Sequence, residues 1–405
     1  MKRALHIALS LMPLLAFSQT EFIINNGTDV RINPGCQVIF ANGGMQNAAG
    51  QLSNAGELVV EGSLLNNGAL IGGASSGIFR ILNDVENNGQ MQPGQSEFEL
   101  YGDDQFLRGT QQLNFYDLTL VGGGVKYMLQ NISTVGTLNL TDRELAAASN
   151  TIYHSNSTPA TVLAVHDQGF VSANAGGGLS RTTNTTADYY FPVGSAQNGL
   201  KIRPITVAPN AGGSTYKVRF VNGPTPFSVQ RGIELYYVNP IFYHEVQRTE
   251  GTSPGTLTVF YEEVEDGFFQ TLAHLESDFW RENVGTGEGP LFGTGPELKS
   301  FETPDWDFPS TEIALAALST ELFVPNVFSP NDDGHNDVFK PRGTNLFGYQ
   351  LRIYDRWGNK VFESDDIEEG WDGTFNGKLM NSAVFVYYIL SGDEVVSKGN
   401  VTLVR

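Results

Sequence analysis

Short bursts of alternating apolar and polar residues mark the first third of the chain. Leu58-Val59-Val60-Glu61-Gly62, Phe98-Glu99-Leu100-Tyr101-Gly102 and Leu118-Thr119-Leu120-Val121-Gly122 are strand-like units ending in Gly, and Leu138 with Leu140 looks like one more. A period of two places the apolar members on one face of a short strand. A second pattern is laid over this one. Leu52, Asn54, Gly56 and Leu58 recur as Leu64, Asn66, Gly68 and Leu70, and again as Val85, Asn87, Gly89 and Met91. Asn and Gly tolerate left-handed backbone, so this pattern predicts corners at which the chain turns to its next face. Stacked coils of about 20 residues bury a continuous core that no single coil could bury. Residues 19–150 therefore read as a parallel β-helix-like solenoid. A stack of β-hairpins is the alternative, because the repeat is imperfect.

From 151 to 318 the short repeat disappears and Tyr, Phe and Pro become common. Strand-like runs fall at Tyr189–Val193, Lys201–Val207, Tyr216–Val221, Ile241–Arg248, Thr256–Tyr261 and Phe269–Leu275, with turn clusters such as Asn210-Ala211-Gly212-Gly213 between some of them. This spacing predicts an antiparallel β-sandwich. Residues 285–309 are rich in Gly and Pro and read as a long loop. Glu312–Leu318 is the candidate closing strand. A compact third unit, 320–405, follows, with strands expected at Leu322–Phe328, Tyr349–Asp355, Lys360–Ser364, Ala383–Leu390 and Lys398–Val404. Its length and turn spacing suit a seven-strand Ig-like β-sandwich. The whole chain reads as all-β.

Composition supports this reading. Charged residues are 17% of the 405, and the 46 glycines suit strands joined by tight turns. The formal net charge of −20 repels nucleic acid and anionic headgroups, which argues against a nucleic-acid partner. At the N-terminus Lys2 and Arg3 precede a mostly apolar stretch from Ala4 to Phe17, too short to span a membrane. Ala16-Phe17-Ser18 supplies the small residues a signal peptidase reads. Residues 1–18 are thus expected to be a signal peptide cleaved before Gln19. The single cysteine, Cys36, forms no intramolecular disulfide and is expected as a small buried hydrophobe. No later segment is long and apolar enough for a transmembrane span, so an exported chain of this kind either has another means of attachment or is released.

The third unit carries the densest motifs. Val327-Phe328-Ser329-Pro330-Asn331-Asp332-Asp333-Gly334-His335-Asn336-Asp337-Val338-Phe339 opens it, and Tyr354-Asp355-Arg356-Trp357-Gly358-Asn359-Lys360-Val361-Phe362 follows. Then come Gly370-Trp371-Asp372-Gly373-Thr374-Phe375-Asn376-Gly377-Lys378, Val384-Phe385-Val386-Tyr387-Tyr388-Ile389 and the terminal Lys398-Gly399-Asn400-Val401-Thr402-Leu403-Val404-Arg405. In this order, the series resembles the type B C-terminal sorting domain of the Bacteroidetes type IX secretion system, the gliding motility-associated C-terminal domain. Asn381 and Ala383 stand where Pro and Gly are common in that pattern. The resemblance implies Sec-dependent export followed by handling by the type IX translocon. It also implies an outer-membrane partner of the PorP/SprF-like family and a place at the cell surface, outside the outer membrane. The role expected of the chain is that of an adhesin or a component of the gliding or secretion apparatus.

The candidate sorting surface comprises Asn331, Asp333, Gly334, Asp337, Arg352, Arg356, Trp357, Gly358, Trp371, Asp372, Gly373 and Arg405. Arg352, Arg356 and Lys360 are suited to acidic groups on a partner, and equally to being solvated strand charges. Trp357 and Trp371 are large anchors, read first as core and second as interface. Asp372 is placed to accept nearby backbone N–H groups. Acidic and amide oxygens spaced by two around Gly334 also suit a calcium loop, with Asp333 and Asp337 as ligands and Asn331 beside them, although no Glu stands at the EF-hand distance. The competing reading is an Asx-rich structural turn. No other cofactor is expected.

Catalytic patterns are sparse. The histidines have no zinc spacing, and there is neither a nucleophile elbow nor a phosphate loop. Glu262, Glu263, Glu265 and Asp266 form an acidic run, expected as a solvated strand end rather than paired catalytic carboxylates. His244 and Glu245, adjacent in a strand, face opposite ways. The leading expectation is a non-catalytic surface protein. The alternative is a secreted polysaccharide-acting enzyme on a β-helix, drawing on Asp84, Asp103, Asp104, Asp117, Arg80, Arg108 and Lys126. A glycan-binding adhesin would instead use exposed aromatics such as Tyr236 or Tyr243.

Overall fold

The computed structural model describes residues 4–5 and 22–405, apart from 75–76, 233, 284–298, 308–309, 320–321, 344–345, 347 and 393. The expected signal segment therefore lies outside the described residues, except for Ala4–Leu5. The chain forms two compact units, Met1–Gly232 with Val238–Ala316, and Ile233–Tyr237 with Ala317–Arg405.

In the first unit each repeat closes a coil of three short strands. Glu57–Val60, Leu64–Asn66 and Ala69–Gly72 make one coil, and Ile78–Ile81, Val85–Asn87 and Gln90–Gln92 the next. Coils stack in parallel register: Leu58 lies opposite Phe79, Leu64 opposite Val85, and Leu70 opposite Met91. Leu52 pairs with Leu70, not with Leu64. The first recurrence in the sequence thus relates two faces, and the second relates stacked coils. The result is a β-solenoid of about seven turns, with parallel pairing throughout its faces.

Alternation sends Leu52, Leu58, Leu64, Phe79, Phe98 and Leu118 into the interior, each fully buried. Burying such a side chain contributes roughly 1.5–3 kcal/mol. Phe79 and Phe98 stack at 4.3 Å between ring centroids, so successive coils interlock through aromatic faces as well as backbone.

The repeat asparagines do not turn the corners, as expected from their backbone tolerance. They point inward. Asn25 Nδ2 donates to Asn47 Oδ1, Asn47 Nδ2 to Asn66 Oδ1, and Asn66 Nδ2 to Asn87 Oδ1, each at 2.8 Å. The second amide hydrogen reaches a backbone carbonyl of the next coil, at the start of a strand for Asn66 to Gln90 O at 3.0 Å and at a bend for Asn87 to Gln112 O at 2.8 Å. Where a coil bends, carbonyls leave the strand ladders, and a buried amide supplies the missing donor. Farther along, Gln105 and Lys126 take over this work. Lys126 Nζ donates to the carbonyls of Gly102, Asp103 and Gly123 at 2.7, 2.6 and 2.9 Å. Burial, with Arg143 adding to it, pushes its ammonium down to about 8. Glycine is required for another reason at several bends: a Cβ on Gly72 would lie 1.8 Å from Pro93 O of the next coil. Cys36 is exposed rather than buried, because it sits in a bend just before Gln37–Phe40.

Parallel stacking does not stop at residue 150. Thr151–His154 pairs with Gly178–Thr182 in parallel, and Gly178–Thr182 then pairs antiparallel with Thr215–Val221. The same sheet continues through Tyr243–Glu250, Ser310–Leu318, Thr271–Glu276 and Phe279–Asn283. A second antiparallel sheet, Tyr189–Phe191, Ile205–Pro209, Gly255–Tyr261 and Lys299–Trp306, faces it. Tyr216 and Trp306 meet across the gap at 6.3 Å, and His244 Nε2 lies 2.7 Å from Arg203 O. The solenoid and the sandwich thus share one sheet, which explains why they form one compact unit. The anticipated loop at 285–309 is a strand over Lys299–Trp306; residues 285–298 and 308–309 of it lie outside the described residues.

The acidic run is not a solvated strand end. Glu263–Asp266 forms one helical turn that buries Asp266 against Arg203 and Lys201. Arg203 Nε and Lys201 Nζ each approach the carboxylate at 2.5 Å, while Glu262 and Glu265 hold the rest of the guanidinium at 3.2 and 3.1 Å. Burial raises the Asp266 pKa, but the bonds from Arg203 and Lys201 outweigh it and leave the carboxyl below its usual range.

In the second unit Val327–Phe328 pairs parallel with the final strand, Glu394–Leu403. Ala383–Ser391, Tyr349–Tyr354 and Lys360–Ser364, all paired antiparallel, complete a mixed sheet of five strands. Short pairs form between Leu322–Phe323 and Arg342–Gly343, and between Thr374–Phe375 and Lys378–Leu379. Phe328, Phe339, Leu351, Ile353, Trp371, Phe385, Ile389, Val401 and Leu403 make its core.

Replacing Asn66 by Ala leaves buried groups of two neighbouring coils without partners. At about 1–3 kcal/mol per group, the loss should be roughly 2–4 kcal/mol. Urea unfolding of the full chain measures it, with the exposed neighbour Asn67→Ala expected to stay within about 0.5 kcal/mol of wild type.

Candidate functional site: the surface of the C-terminal unit

The residues singled out from the sequence fall into three constellations. The first is the loop between Phe328 and Phe339, whose ends are pinned in the core. Asp337 organises it. Its Oδ1 accepts the backbone N–H of Asn331 and Asp332 at 3.0 and 2.8 Å, and its Oδ2 that of Gly334 at 2.8 Å. Asp333 accepts from His335 N and Asn331 Nδ2 at 2.8 and 2.9 Å. Gly334 has a φ of 84°, a left-handed conformation that disfavours a side chain. Desolvation works against the Asp337 charge, but the N–H groups of Gly334, Asn331, Asp332 and Asp333 outweigh it and lower the carboxyl. The geometry is that of an Asx-rich turn. To ligate calcium, Asp333 and Asp337 would have to exchange these N–H donors for the cation. Among the described residues no three His, Cys, Asp or Glu side chains converge as a metal cluster.

The second constellation joins the Trp-Asp-Gly motif to the chain end. Trp371 is 1% exposed and packs edge-on against Phe385 at 4.7 Å, its indole N–H donating to Thr374 O at 2.8 Å. Its place on the candidate surface is therefore corrected: the indole is buried in the core and supports that surface from beneath. Asp372 Oδ1 accepts from Thr374 N and Oγ1 at 2.9 and 2.8 Å. Arg405 laces the terminus down, donating to Met380 O at 2.9 Å and Gly373 O at 3.2 Å, while its backbone N–H reaches Ser382 Oγ at 2.9 Å.

The third is the hairpin tip between Tyr349–Tyr354 and Lys360–Ser364. Asp355 Oδ1 accepts from Trp357 N and Asn359 N at 2.8 and 2.9 Å, and Oδ2 from Asn359 Nδ2 at 2.9 Å. Gly358 supplies the left-handed step with a φ of 83°. The Asn359 amide, with the backbone N–H groups of Asn359, Trp357 and Gly358, holds the Asp355 carboxyl below its usual range. Trp357 is not core. It is 75% exposed, with the Arg356 guanidinium 4.8 Å from its ring. Arg352 bonds Glu363 at 3.1 Å, and Lys360 pairs with the same carboxylate. Sequence reasoning missed Asp355 as the organiser of this tip and Ser382 as the terminal anchor. An Asp two residues before Trp357 and four before Asn359 was the available signal for the former.

The candidate catalytic residues of the solenoid stay within its stacking. Arg80 lies between Glu57 and Glu99 at 3.4 and 3.6 Å. Asp84 reaches Arg108 at 3.4 Å, Asp104 accepts Val125 N at 2.8 Å, and Asp117 accepts Thr137 N at 2.5 Å. Asp103 lends its carbonyl to Lys126, which is buried inside rather than standing on an outer face.

The fold thus defines an all-β protein: a solenoid merged with a sandwich, followed by a small sheet unit with pinned loops. Residues 322–403 match the CHU_C type IX secretion signal domain. The chain therefore ends in a type IX sorting domain, as the motif series suggested, and is a type IX-secreted protein associated with the cell surface or outer membrane. No curated protein and no solved structure matches it. Among the described residues no helix is long and apolar enough to cross a membrane.

The depressed Asp337 and Asp355 carboxyls predict an acid-sensitive unit. Their stabilisation is complete above the usual carboxylate value of about 4 and is lost as pH falls below it through the folded-state values. Asp337→Asn should lower the melting temperature of the second unit at pH 7 and converge with wild type near the acid limit, as followed by calorimetry of the full chain across pH.

Proposed function

We propose that the chain is a non-catalytic protein displayed on the cell surface. Its N-terminal segment acts as a signal peptide for passage to the periplasm. The C-terminal unit then serves as the address read by the type IX machinery, and an outer-membrane protein of the PorP/SprF-like family holds it. The solenoid and sandwich are carried outside as a spacer or adhesin, or as a part of the gliding or secretion apparatus.

The match of residues 322–403 to a type IX secretion signal domain carries this reading. Supporting it, candidate catalytic groups of the solenoid are engaged in holding coils together, as in Lys126 with its three carbonyls. The proposed role asks for no calcium; the Asn331–Asp337 loop is held by backbone N–H groups that donate to Asp337 and Asp333.

Deleting residues 320–405 should leave the remaining chain periplasmic or degraded. Protease shaving of intact cells measures the surface fraction; display of the truncated chain at the wild-type level would refute the sorting role.

A further inference from the structure

We propose that the hairpin tip Asp355–Asn359 is the docking knob of the C-terminal unit, and that its occupant is a concave, acidic pocket on a protein of the outer membrane. The proposal rests on the sorting role above and specifies where that role is exercised.

Three observations converge on the tip. Trp357 is 75% exposed, whereas the chain's other tryptophans, Trp280, Trp306 and Trp371, are 0%, 2% and 1% exposed. A tryptophan left in water on a defined turn is an anchor awaiting a pocket, since Trp, Tyr and Arg dominate the energetics of protein interfaces. The tip is also held rigid before binding. The Asp355 carboxylate ties Trp357 and Asn359 through three hydrogen bonds, so docking costs little conformational entropy. Finally, Arg356 covers the Trp357 ring with its guanidinium at 4.8 Å, and among the described residues it has no carboxylate partner. A guanidinium stacked in this way leaves its N–H edge free for a bidentate carboxylate.

Charge identifies the partner. The chain carries a formal −20, yet the strands leading to the tip gather cations. Lys360 stands beside Tyr354, and Arg352 beside Tyr388, which in turn neighbours Lys398. Tyr354 and Tyr388 meet edge to face at 5.8 Å between these cations, and Glu363 is the acid paired with Arg352 and Lys360. A cationic, aromatic face on an acidic protein is complementary to an acidic surface. That surface is on a protein rather than a lipid leaflet: a single fixed Trp–Arg pair suits a shaped pocket, which a fluid leaflet does not present.

The test uses the full chain in cells that display it. Trp357→Ala and Arg356→Glu should each lower the protease-accessible surface fraction at least tenfold, with Arg356→Lys giving partial retention. Melting temperatures of these variants should match wild type, since both side chains lie outside the core; Trp371→Ala is the control that reports core loss. Independently, benzoylphenylalanine at position 357 should photo-cross-link in intact cells to one discrete outer-membrane protein at a peptide rich in Asp and Glu, and Arg356→Glu should abolish that adduct. Wild-type display of both tip variants would overturn the knob, as would cross-links confined to lipid. Flotation of the full chain on phosphatidylglycerol vesicles that depends on Trp357 would overturn the protein partner in favour of a membrane. If the 320–405 deletion abolishes display while the tip variants do not, the sorting role stands and the knob falls. If the deletion is displayed normally, the sorting role itself falls.

Discussion

Every coil of the solenoid depends on its neighbours for backbone hydrogen bonds, and the buried asparagine ladder is where that dependence is most acute. A strand of three or four residues cannot satisfy the carbonyls at its bends, and water is excluded from the interior. The amides of Asn25, Asn47, Asn66 and Asn87 close that gap by bonding along the stack, each one to the next. Such a ladder works only if the coils keep register, because a shift of one residue would turn every side chain to the wrong face. Leucine burial and amide pairing therefore enforce the same alignment.

A solenoid has an exposed edge wherever its stacking ends, and an uncovered edge invites pairing with other chains. Here one face does not end at its last coil. Gly178–Thr182 is paired in parallel on one side and antiparallel on the other. The middle sandwich consequently acts as the cap of the solenoid, built on the same sheet. The buried Arg203–Asp266 cluster lies in this cap, where His244 in turn contacts the Arg203 carbonyl. A pocket of about 190 Å³ beside Arg219, Glu245 and Glu312 marks the outer side of the shared sheet.

The C-terminal unit follows a different logic. Its core is aromatic, and its loops are held by carboxylates that gather N–H donors: Asp337 in the first loop, Asp355 in the hairpin tip, Asp372 beside Trp371. Rigid loops on a small sheet are a suitable scaffold for recognition by a fixed machine, because the recognised shape is present before contact. The lacing of Arg405 to Gly373 and Met380 extends that rigidity to the chain end.

Much of this was legible in the chain itself. Period-two Leu and Phe specified strands and their inward faces, recurrence specified stacking, and the ordered motifs after Thr320 specified the sorting domain. These are local signals: they need only adjacent residues and the geometry of a strand. What the tertiary structure decided were matters of environment. Asn66 is equally at home in a left-handed corner or a buried ladder, and only the stack chose the ladder. Lys126 looked solvent-bound until the coils closed over it. Trp357 and Trp371 have the same chemistry, but one is enclosed by Phe328 and Phe385 while the other is lifted out on a turn organised by Asp355. Burial is set by which distant residues arrive around a side chain, and sequence spacing does not contain that information.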